Sequence, residues 1–223
     1  HEWQRDALAA ANKDNALNDG DDFAGTALTG TERIGNYCQI FSKQPVVSRR
    51  ADIVNKAGQK TAMAYQTAKM MKEMKRDMEA AVLSSNVAVA GNSTTASKLA
   101  GFGAMIYTNI SSGAGGSTPA HTSGAATVAP TPGTGRAFTE ALLKTVVQLA
   151  FTNSGMIPRQ VVMSPNHKTL FSAFTGIAVN RYQVGKKEQG RIIGGADVYM
   201  SDFGELEIVP HYIMSGATQV FGI

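Results

Sequence analysis

The order of apolar and polar positions changes along the chain, and the first part offers few positions that suit a compact core. As far as residue 53, short alternating segments are separated by polar turns, of which Asn18-Asp19-Gly20-Asp21-Asp22 is the clearest. This pattern predicts an extended arm or a long hairpin. Residues 35–42 and 45–48 are rich in aromatic and β-branched side chains and are predicted to form the returning strand.

A long helix is predicted from about Val54 to Leu83. The segment has no proline, and its apolar residues recur at steps of three and four, which places them on one helix face. At 1.5 Å per residue the helix would be about 45 Å long. Methionines at this spacing are typical of packing against a core, with an adaptable partner surface as the alternative. The apolar series consists of Ala57, Thr61, Ala64, Ala68, Met71, Met74, Met78 and Val82.

Residues 101–135 are dominated by Gly, Ser, Thr, Ala and Pro. The segment has too few large apolar side chains to offset the entropy lost when it is ordered. We therefore predict a long, mobile surface loop that separates two parts of the chain.

A compact pattern resumes after this loop with a second helix. Thr139 is a suitable N-cap, Phe138 and Leu143 stand at the positions of a hydrophobic staple, and Gly155 is expected to end the helix. The residues predicted to face inward are Leu142, Val146 and Leu149.

A strand-to-helix unit and a hairpin complete the pattern. A buried strand at residues 160–163 leads to Ser164 as cap and Pro165 as first residue of a helix that runs to about Phe174, with Gly176 after it. An antiparallel hairpin is predicted for residues 197–201 and 205–209, which flank the turn Asp202-Phe203-Gly204. The fold class is therefore predicted to be α+β.

Composition narrows the range of functions only slightly. The 21 Lys and Arg residues exceed the 17 Asp and Glu residues by a net charge of +4, which is too weak to require a nucleic-acid partner. The single cysteine, Cys38, cannot form an internal disulfide, and we interpret it as a small packed residue rather than a nucleophile. No run of about 18 apolar residues predicts a membrane span, so we expect a soluble protein.

A search for chemistry predicts no catalytic residue, no metal and no cofactor. The histidines His1, His121, His167 and His211 lack partners at metal-site spacing, and the sequence has neither a phosphate loop nor the Gly-x-Ser-x-Gly elbow. One alternative remains a hydrolase or small-molecule-binding protein, in which residues 101–135 form a lid over a pocket near His121 or His167. A capsid decoration protein or a surface-layer protein is another.

Several blocks of sequence, taken in chain order, carry a resemblance to a known family. They are His1-Glu2-Trp3-Gln4 with Asp6-Ala7-Leu8-Ala9-Ala10, Arg33-Ile34-Gly35-Asn36-Tyr37-Cys38-Gln39-Ile40, Lys75-Arg76-Asp77-Met78-Glu79, Ala90-Gly91-Asn92-Ser93-Thr94, Arg136-Ala137-Phe138-Thr139-Glu140-Ala141-Leu142-Leu143, Phe171-Ser172-Ala173-Phe174-Thr175-Gly176, and Ala196-Asp197-Val198-Tyr199-Met200-Ser201-Asp202-Phe203-Gly204. Together they resemble the major capsid proteins of SU10-like tailed bacteriophages across the whole chain. The resemblance implies the HK97-type capsid fold and self-assembly into an icosahedral head shell around double-stranded DNA. It also implies a place in the virion, with assembly in the host cytoplasm.

The resemblance implies three structural parts. Residues 1–54 would be the extended loop, residues 55–135 a peripheral domain with spine helix 55–84 and Gly-rich loop 101–135, and residues 136–223 part of an axial domain. Family members carry an arm before the first block and strands after the last hairpin, so we expect this sequence to be a fragment. Ser48-Arg49-Arg50 departs from the small-residue turn of the family, so no contacts are transferred to it.

The expected partners are other copies of the chain, in hexamers and pentamers. Repeated interfaces between copies need no catalytic residue, because many weak contacts add up in a closed shell. A decoration or scaffolding protein, and weak, non-specific contact with packaged DNA, are further candidates. Our candidate assembly contacts are Trp3, Tyr37, Ile40 and Phe41 on the arm, with Arg33, Arg49, Arg50, Lys72 and Arg76 as charge partners.

Overall fold

The computed structural model describes residues 1–20, 22, 25, 27–54, 58, 61–174, 197–214 and 219–223. The strands in this part of the chain are β1 (Glu2–Arg5), β2 (Glu32–Gly35), β3 (Ala120–Thr122), β4 (Ala125–Val128), β5 (Gln160–Met163), β6 (Val198–Ser201), β7 (Gly204–Pro210) and β8 (Phe221–Gly222). The helices are α1 (Arg49–Ile53), α2 (Ala62–Val82), α3 (Phe102–Met105), α4 (Glu140–Ser154) and α5 (Pro165–Ser172), and a 3-10 helix covers Tyr212–Met214. The predicted α+β class is confirmed.

The first sheet has the strand order β1-β2-β4-β3 and joins the start of the chain to its Gly-rich segment. The β1 and β2 strands are antiparallel, whereas β2 runs parallel to β4, with Gly35 opposite Ala125. Gly124 has a φ of 84°, and a Cβ atom there would lie 2.3 Å from the carbonyl oxygen of Arg33. Only glycine permits both this conformation and this close approach of β4 to β2.

The composition of residues 101–135 predicts an irregular loop, but the structure shows regular elements in part of this segment. It contains α3, β3 and β4, and Ala104 and Ala126 are fully buried in a small cluster of alanines. Ser117 and Thr131 also exchange two backbone hydrogen bonds, at 3.1 and 3.2 Å. Backbone pairing and packing of small side chains order this segment, and neither is visible in a count of large apolar residues.

The second sheet has the order β6-β7-β5-β8 and carries the main core. The predicted hairpin is confirmed as the antiparallel pair β6–β7, while β5 runs parallel to β7. Helices α4 and α5 cover the inner face of this sheet. The buried cluster between them consists of Leu143, Val147, Val161, Met163, Phe171, Phe174, Tyr199, Leu206 and Ile208.

The helix ends in this part follow the predicted capping residues. The Thr139 hydroxyl accepts from the backbone N–H of Leu142 at 3.4 Å, and Gly155 ends α4 with a φ of 69°. Ser164 caps α5 and Pro165 begins it, but the helix ends at Ser172, before the predicted Phe174, and Gly176 lies outside the described residues.

The predicted inward face of α4 is displaced by one residue. Leu143 and Val147 are its buried residues, whereas Leu142, Val146 and Leu149 are half-buried. Adjacent positions on a helix are about 100° apart, and α4 has apolar residues in two neighbouring rows. The pattern alone therefore does not show which row faces the core.

The long helix is shorter at its start than predicted. Val54 is the C-cap of α1, Thr61 is the N-cap of α2, and Ala57 of the predicted apolar series lies outside the described residues. Ala62 is the one buried residue of α2, and Met71 is 58% exposed. The prediction that the methionine stripe packs against the core of its own chain is therefore wrong for Met71 and Met78, which are exposed, whereas Met74 is half-buried. No helix among the described residues is long and apolar enough to cross a bilayer.

The returning limb of the arm differs from the predicted strand. The ladder with β1 ends at Gly35, and residues 36–48 form no regular element before Ser48 caps α1. Burial nevertheless alternates along residues 39–47, as the sequence pattern suggests. This limb has the periodicity of a strand but pairs with no strand in the described part of the chain. Asp21 of the predicted polar turn lies outside the described residues.

Candidate assembly surfaces

The arm has a short ladder and a long exposed tip, and residues 36–48 form its returning limb. The β1–β2 ladder ends where Arg5 stands opposite Glu32, and these two residues form an ion pair across it. Between them, every described residue of 6–31 is exposed and lies outside helices and strands. Leu8 and Leu28 are almost completely exposed, which is unusual for leucines in a folded chain. The tip therefore has no core of its own.

The surface of α2 is the second uncovered region. Five large side chains along the helix are exposed, and they are Met63, Tyr65, Met71, Met78 and Val82. Exposed apolar groups that line one element mark an interaction surface more often than single scattered ones do. Sequence reasoning identified the methionine stripe as apolar but missed Met63 and Tyr65, which fall outside the regular steps of three and four.

A shallow groove lies between α2, the 3-10 helix Tyr212–Met214 and Lys43 of the returning limb. It has a volume of about 470 Å³ and is lined by Lys43, Glu73, Arg76, Asp77, Ala80, Tyr212 and Ile213. The Lys43 ammonium lies 2.8 Å from Asp77 and 3.5 Å from Glu73. The hydrogen bond to Asp77 is the main cause that raises the pKa of Lys43. The groove is thus closed at one side by an ion-pair network within the chain.

The predicted contact residues do not come together in one place. Trp3, Tyr37 and Ile40 are exposed along the arm, and Ile40 is 92% exposed, whereas Phe41 is half-buried. Arg49 and Arg50 lie on α1, and Lys72 lies on α2. All three are exposed and form no ion pair with a described residue.

Two of the predicted charge partners already have partners inside the chain. Arg33 pairs with Glu2 at 3.0 Å across the arm ladder. The Arg76 guanidinium lies 5.6 Å from the centre of the Tyr212 ring. Because Arg33 already binds a carboxylate and Arg76 lies against an aromatic ring, both are less available to bind a neighbouring subunit.

The two histidines considered for an enzyme site, His121 and His167, make contacts that stabilise the fold. His167 Nδ1 lies 2.6 Å from Ser164 Oγ, but that oxygen also accepts from the backbone N–H of His167 and so caps α5. His121 packs against Tyr107 with 4.2 Å between ring centroids. Within the described ranges, no three His, Cys, Asp or Glu side chains are placed to hold a metal ion.

A comparison with protein families identifies the chain. The model of the SU10 major capsid protein family matches residues 1–223, which is the full sequence. The chain belongs to this family. No curated protein matches it. The subunit is therefore a structural capsid protein that assembles with copies of itself into a shell and is part of the virion, and nothing favours a hydrolase or a decoration protein.

The stability of this capsid subunit is expected to decrease when His167 is protonated. Burial disfavours the imidazolium and lowers the pKa of His167 below 6.5. The unfolded chain then binds the proton more tightly, so the contribution is fully present above pH 6.5 and is lost as the pH falls below it. Urea unfolding on both sides of this pH should show a weaker pH dependence for His167→Gln than for the parent protein.

The matched control for this prediction removes an exposed imidazole instead. His1→Gln should retain the pH dependence of the parent, since His1 is exposed at the edge of the arm ladder. Equal pH dependence in the His167→Gln variant and the parent would contradict the role of His167.

Proposed function

We propose that this capsid protein has the HK97-type arrangement of parts and builds its shell by laying the arm of one subunit on the α2 surface of a neighbour. In this arrangement residues 1–54 are the extended loop, residues 55–135 the peripheral domain and residues 136–223 part of the axial domain. Spine helix 55–84 and Gly-rich loop 101–135 belong to the peripheral domain. The described long helix, Ala62–Val82, falls inside the proposed spine.

One observation carries this proposal, namely that two incomplete surfaces occur on the same chain. The α2 helix has 21 residues and buries only Ala62, while the described residues of the arm tip are all exposed. A two-stranded ladder without a core is marginal in water and gains stability when it lies on another surface. Because the two surfaces differ, contact between them is heterologous and propagates from copy to copy.

The arm is too closely held at its base to cover its own α2 along its length. Lys43 contacts Glu73 and Asp77 on one side of α2, and the exposed Met71 and Met78 remain uncovered. These methionines are polarizable and flexible, which suits a surface that must accept an extended segment. A neighbour's arm is therefore the occupant that we propose for them.

Within this interface we assign different weight to the candidate residues. The stronger candidates are the exposed residues Trp3, Tyr37, Ile40, Arg49, Arg50 and Lys72. Phe41 is a weaker candidate because it is half-buried, and Arg33 and Arg76 are weaker because they contact Glu2 and Tyr212 of their own subunit. Hexamers and pentamers of an icosahedral head around double-stranded DNA, formed in the host cytoplasm, complete the proposal. A decoration or scaffolding protein and weak DNA contact are compatible with it.

A cross-linking experiment tests whether the arm reaches a neighbour. Cys38 is the only cysteine in the chain and is exposed on the returning limb of the arm. A photoreactive group attached to its thiol should yield cross-linked dimers in assembled shells, with peptides of α2 as the acceptor. Dissociated subunits should yield only internal cross-links. Gel electrophoresis and mass spectrometry distinguish the two products.

The control is Cys38→Ser, which cannot carry the photoreactive group. Its shells should give no cross-linked dimers under the same illumination. If labelled shells give only internal cross-links, the returning limb near Cys38 does not lie on a neighbour's α2, and the proposed contacts of Tyr37 and Ile40 are wrong.

A further inference from the structure

Asn36 stands where the arm ladder meets the body of the subunit. It follows β2 directly, and its backbone N–H donates to the carbonyl oxygen of His1 at 2.8 Å. The main chain of Asn36 therefore continues the pairing of β1 with β2. Its side chain turns away from the arm to segment 99–100.

The Asn36 carboxamide pairs with the backbone of Ala100 in both directions. Its Oδ1 accepts from the Ala100 N–H at 2.8 Å, and its Nδ2 donates to the Ala100 carbonyl oxygen at 3.1 Å. A carboxamide has one acceptor and one donor side, so it reproduces the two hydrogen bonds of a strand pair. Ala100 is buried in the alanine cluster, which makes these bonds costly to leave unmade.

Two further side chains hold the limb beyond Asn36. Gln39 Oε1 accepts from the backbone N–H of Leu99 at 3.3 Å, and Lys43 pairs with Asp77 and Glu73 on α2. The limb is thus fastened to the body at every third or fourth residue, although it has no regular structure. Its course depends on side-chain contacts more than on a backbone ladder.

We propose that Asn36 is a positioning residue for assembly, which fixes the direction in which the arm leaves the body. This inference rests on the proposed function, in which the arm spans to a neighbour. An arm that already points correctly loses less conformational freedom when it binds, so binding is faster and more uniform. Asn36 itself need not touch the neighbour.

The test compares two isosteric replacements. Asn36→Asp keeps the acceptor but loses the donor and sets a carboxylate against the Ala100 carbonyl oxygen. Asn92→Asp is the matched control, because Asn92 Oδ1 only accepts, from Thr94 and Thr95, and a carboxylate does this equally well. Repulsion between the new carboxylate and the Ala100 carbonyl oxygen should move the side chain away from segment 99–100, so that the Ala100 N–H also loses its acceptor. Hydrogen exchange at the Ala100 amide should therefore accelerate about tenfold or more in Asn36→Asp and remain unchanged in Asn92→Asp.

Assembly provides the second measurement. At a temperature at which the variant subunit is folded, Asn36→Asp should assemble about tenfold more slowly by light scattering and give irregular shells by electron microscopy. Lys43→Met releases the limb from α2 but leaves the two Asn36–Ala100 hydrogen bonds intact. It should also slow assembly, by a smaller factor. It also serves as the test if Asn36→Asp does not fold.

The outcomes separate this inference from the proposed function. If Asn36→Asp and Lys43→Met both assemble like the parent while Ala100 exchange is accelerated, the positioning role is wrong and the neighbour contact stands. The same holds if Asn36→Asp does not fold and Lys43→Met assembles like the parent. If a subunit that lacks the arm tip forms normal shells, the proposed function itself is wrong.

Discussion

A subunit in which Asn-Gly replaces residues 6–31 is expected to fold but to form no shells. Arg5 and Glu32 are directly opposite in the arm ladder, so a two-residue turn can join them without a change of register. The described residues of this segment are exposed, and their removal leaves no cavity in the core. The shortened arm, however, loses the exposed Leu8, Leu17 and Leu28 and most of its reach.

Two measurements are needed, because loss of assembly has meaning only for a folded subunit. The thermal midpoint of the shortened subunit should stay close to that of the parent, and negative-stain electron microscopy should show no closed particles. A variant with a Gly-Ser segment of equal length in place of residues 6–31 separates the loss of the leucine side chains from the loss of reach. It restores reach without the leucines and is expected to form no regular shells. Normal particles from the Asn-Gly variant would contradict the proposed arm contact.

The parts of the fold that could be predicted are those with signals close together in sequence. Thr139 and Ser164 each cap a helix through a hydroxyl that reaches a backbone N–H three residues on. Gly155 adopts the left-handed conformation that ends α4, and the turn at residues 202–203 closes the β6–β7 hairpin. These interactions are local, so one window of sequence contains both partners.

The parts that could not be predicted depend on partners far apart in sequence. β2 pairs in parallel with β4, and β5 pairs with β7, but no periodicity indicates which strands become neighbours. The order within residues 101–135 has the same origin, because it depends on contacts such as that of Gly124 with β2. The Asn36–Ala100 pair is likewise invisible in the sequence, since an asparagine after a strand predicts only a turn.

The sequence predicts which elements form the candidate assembly surfaces, but only some of the residues that are exposed on them. The arm and the apolar stripe of the long helix follow from sequence pattern, and both are present as exposed features. The pattern cannot distinguish a stripe that packs against its own chain from one that packs against a neighbour, because burial is equally favourable in both. Thus Met71 was expected in a core and is exposed, whereas Arg33 was expected to bind a neighbour and pairs with Glu2.

Replacement of Leu206 by alanine is expected to destabilise the subunit strongly. Leu206 is 0% exposed in the core cluster beneath the second sheet. Loss of its buried side chain removes apolar contacts and leaves a cavity, which typically costs about 2–5 kcal/mol of unfolding free energy. Urea unfolding of dissociated subunits measures this change, which should appear as a lower midpoint.

A matched control lies on the same hairpin, one strand away and on the opposite face. Met200 is 76% exposed on β6, so Met200→Ala removes a side chain of similar size without creating a cavity and should change the unfolding free energy by about 0.5 kcal/mol or less. Equal midpoints for the Leu206 and Met200 variants would show that this sheet does not carry the stability of the subunit. If Leu206→Ala lowers the midpoint as expected, its shells should be fewer but regular, because the core sets how many subunits are folded, whereas in the proposed contact the arm sets how they join.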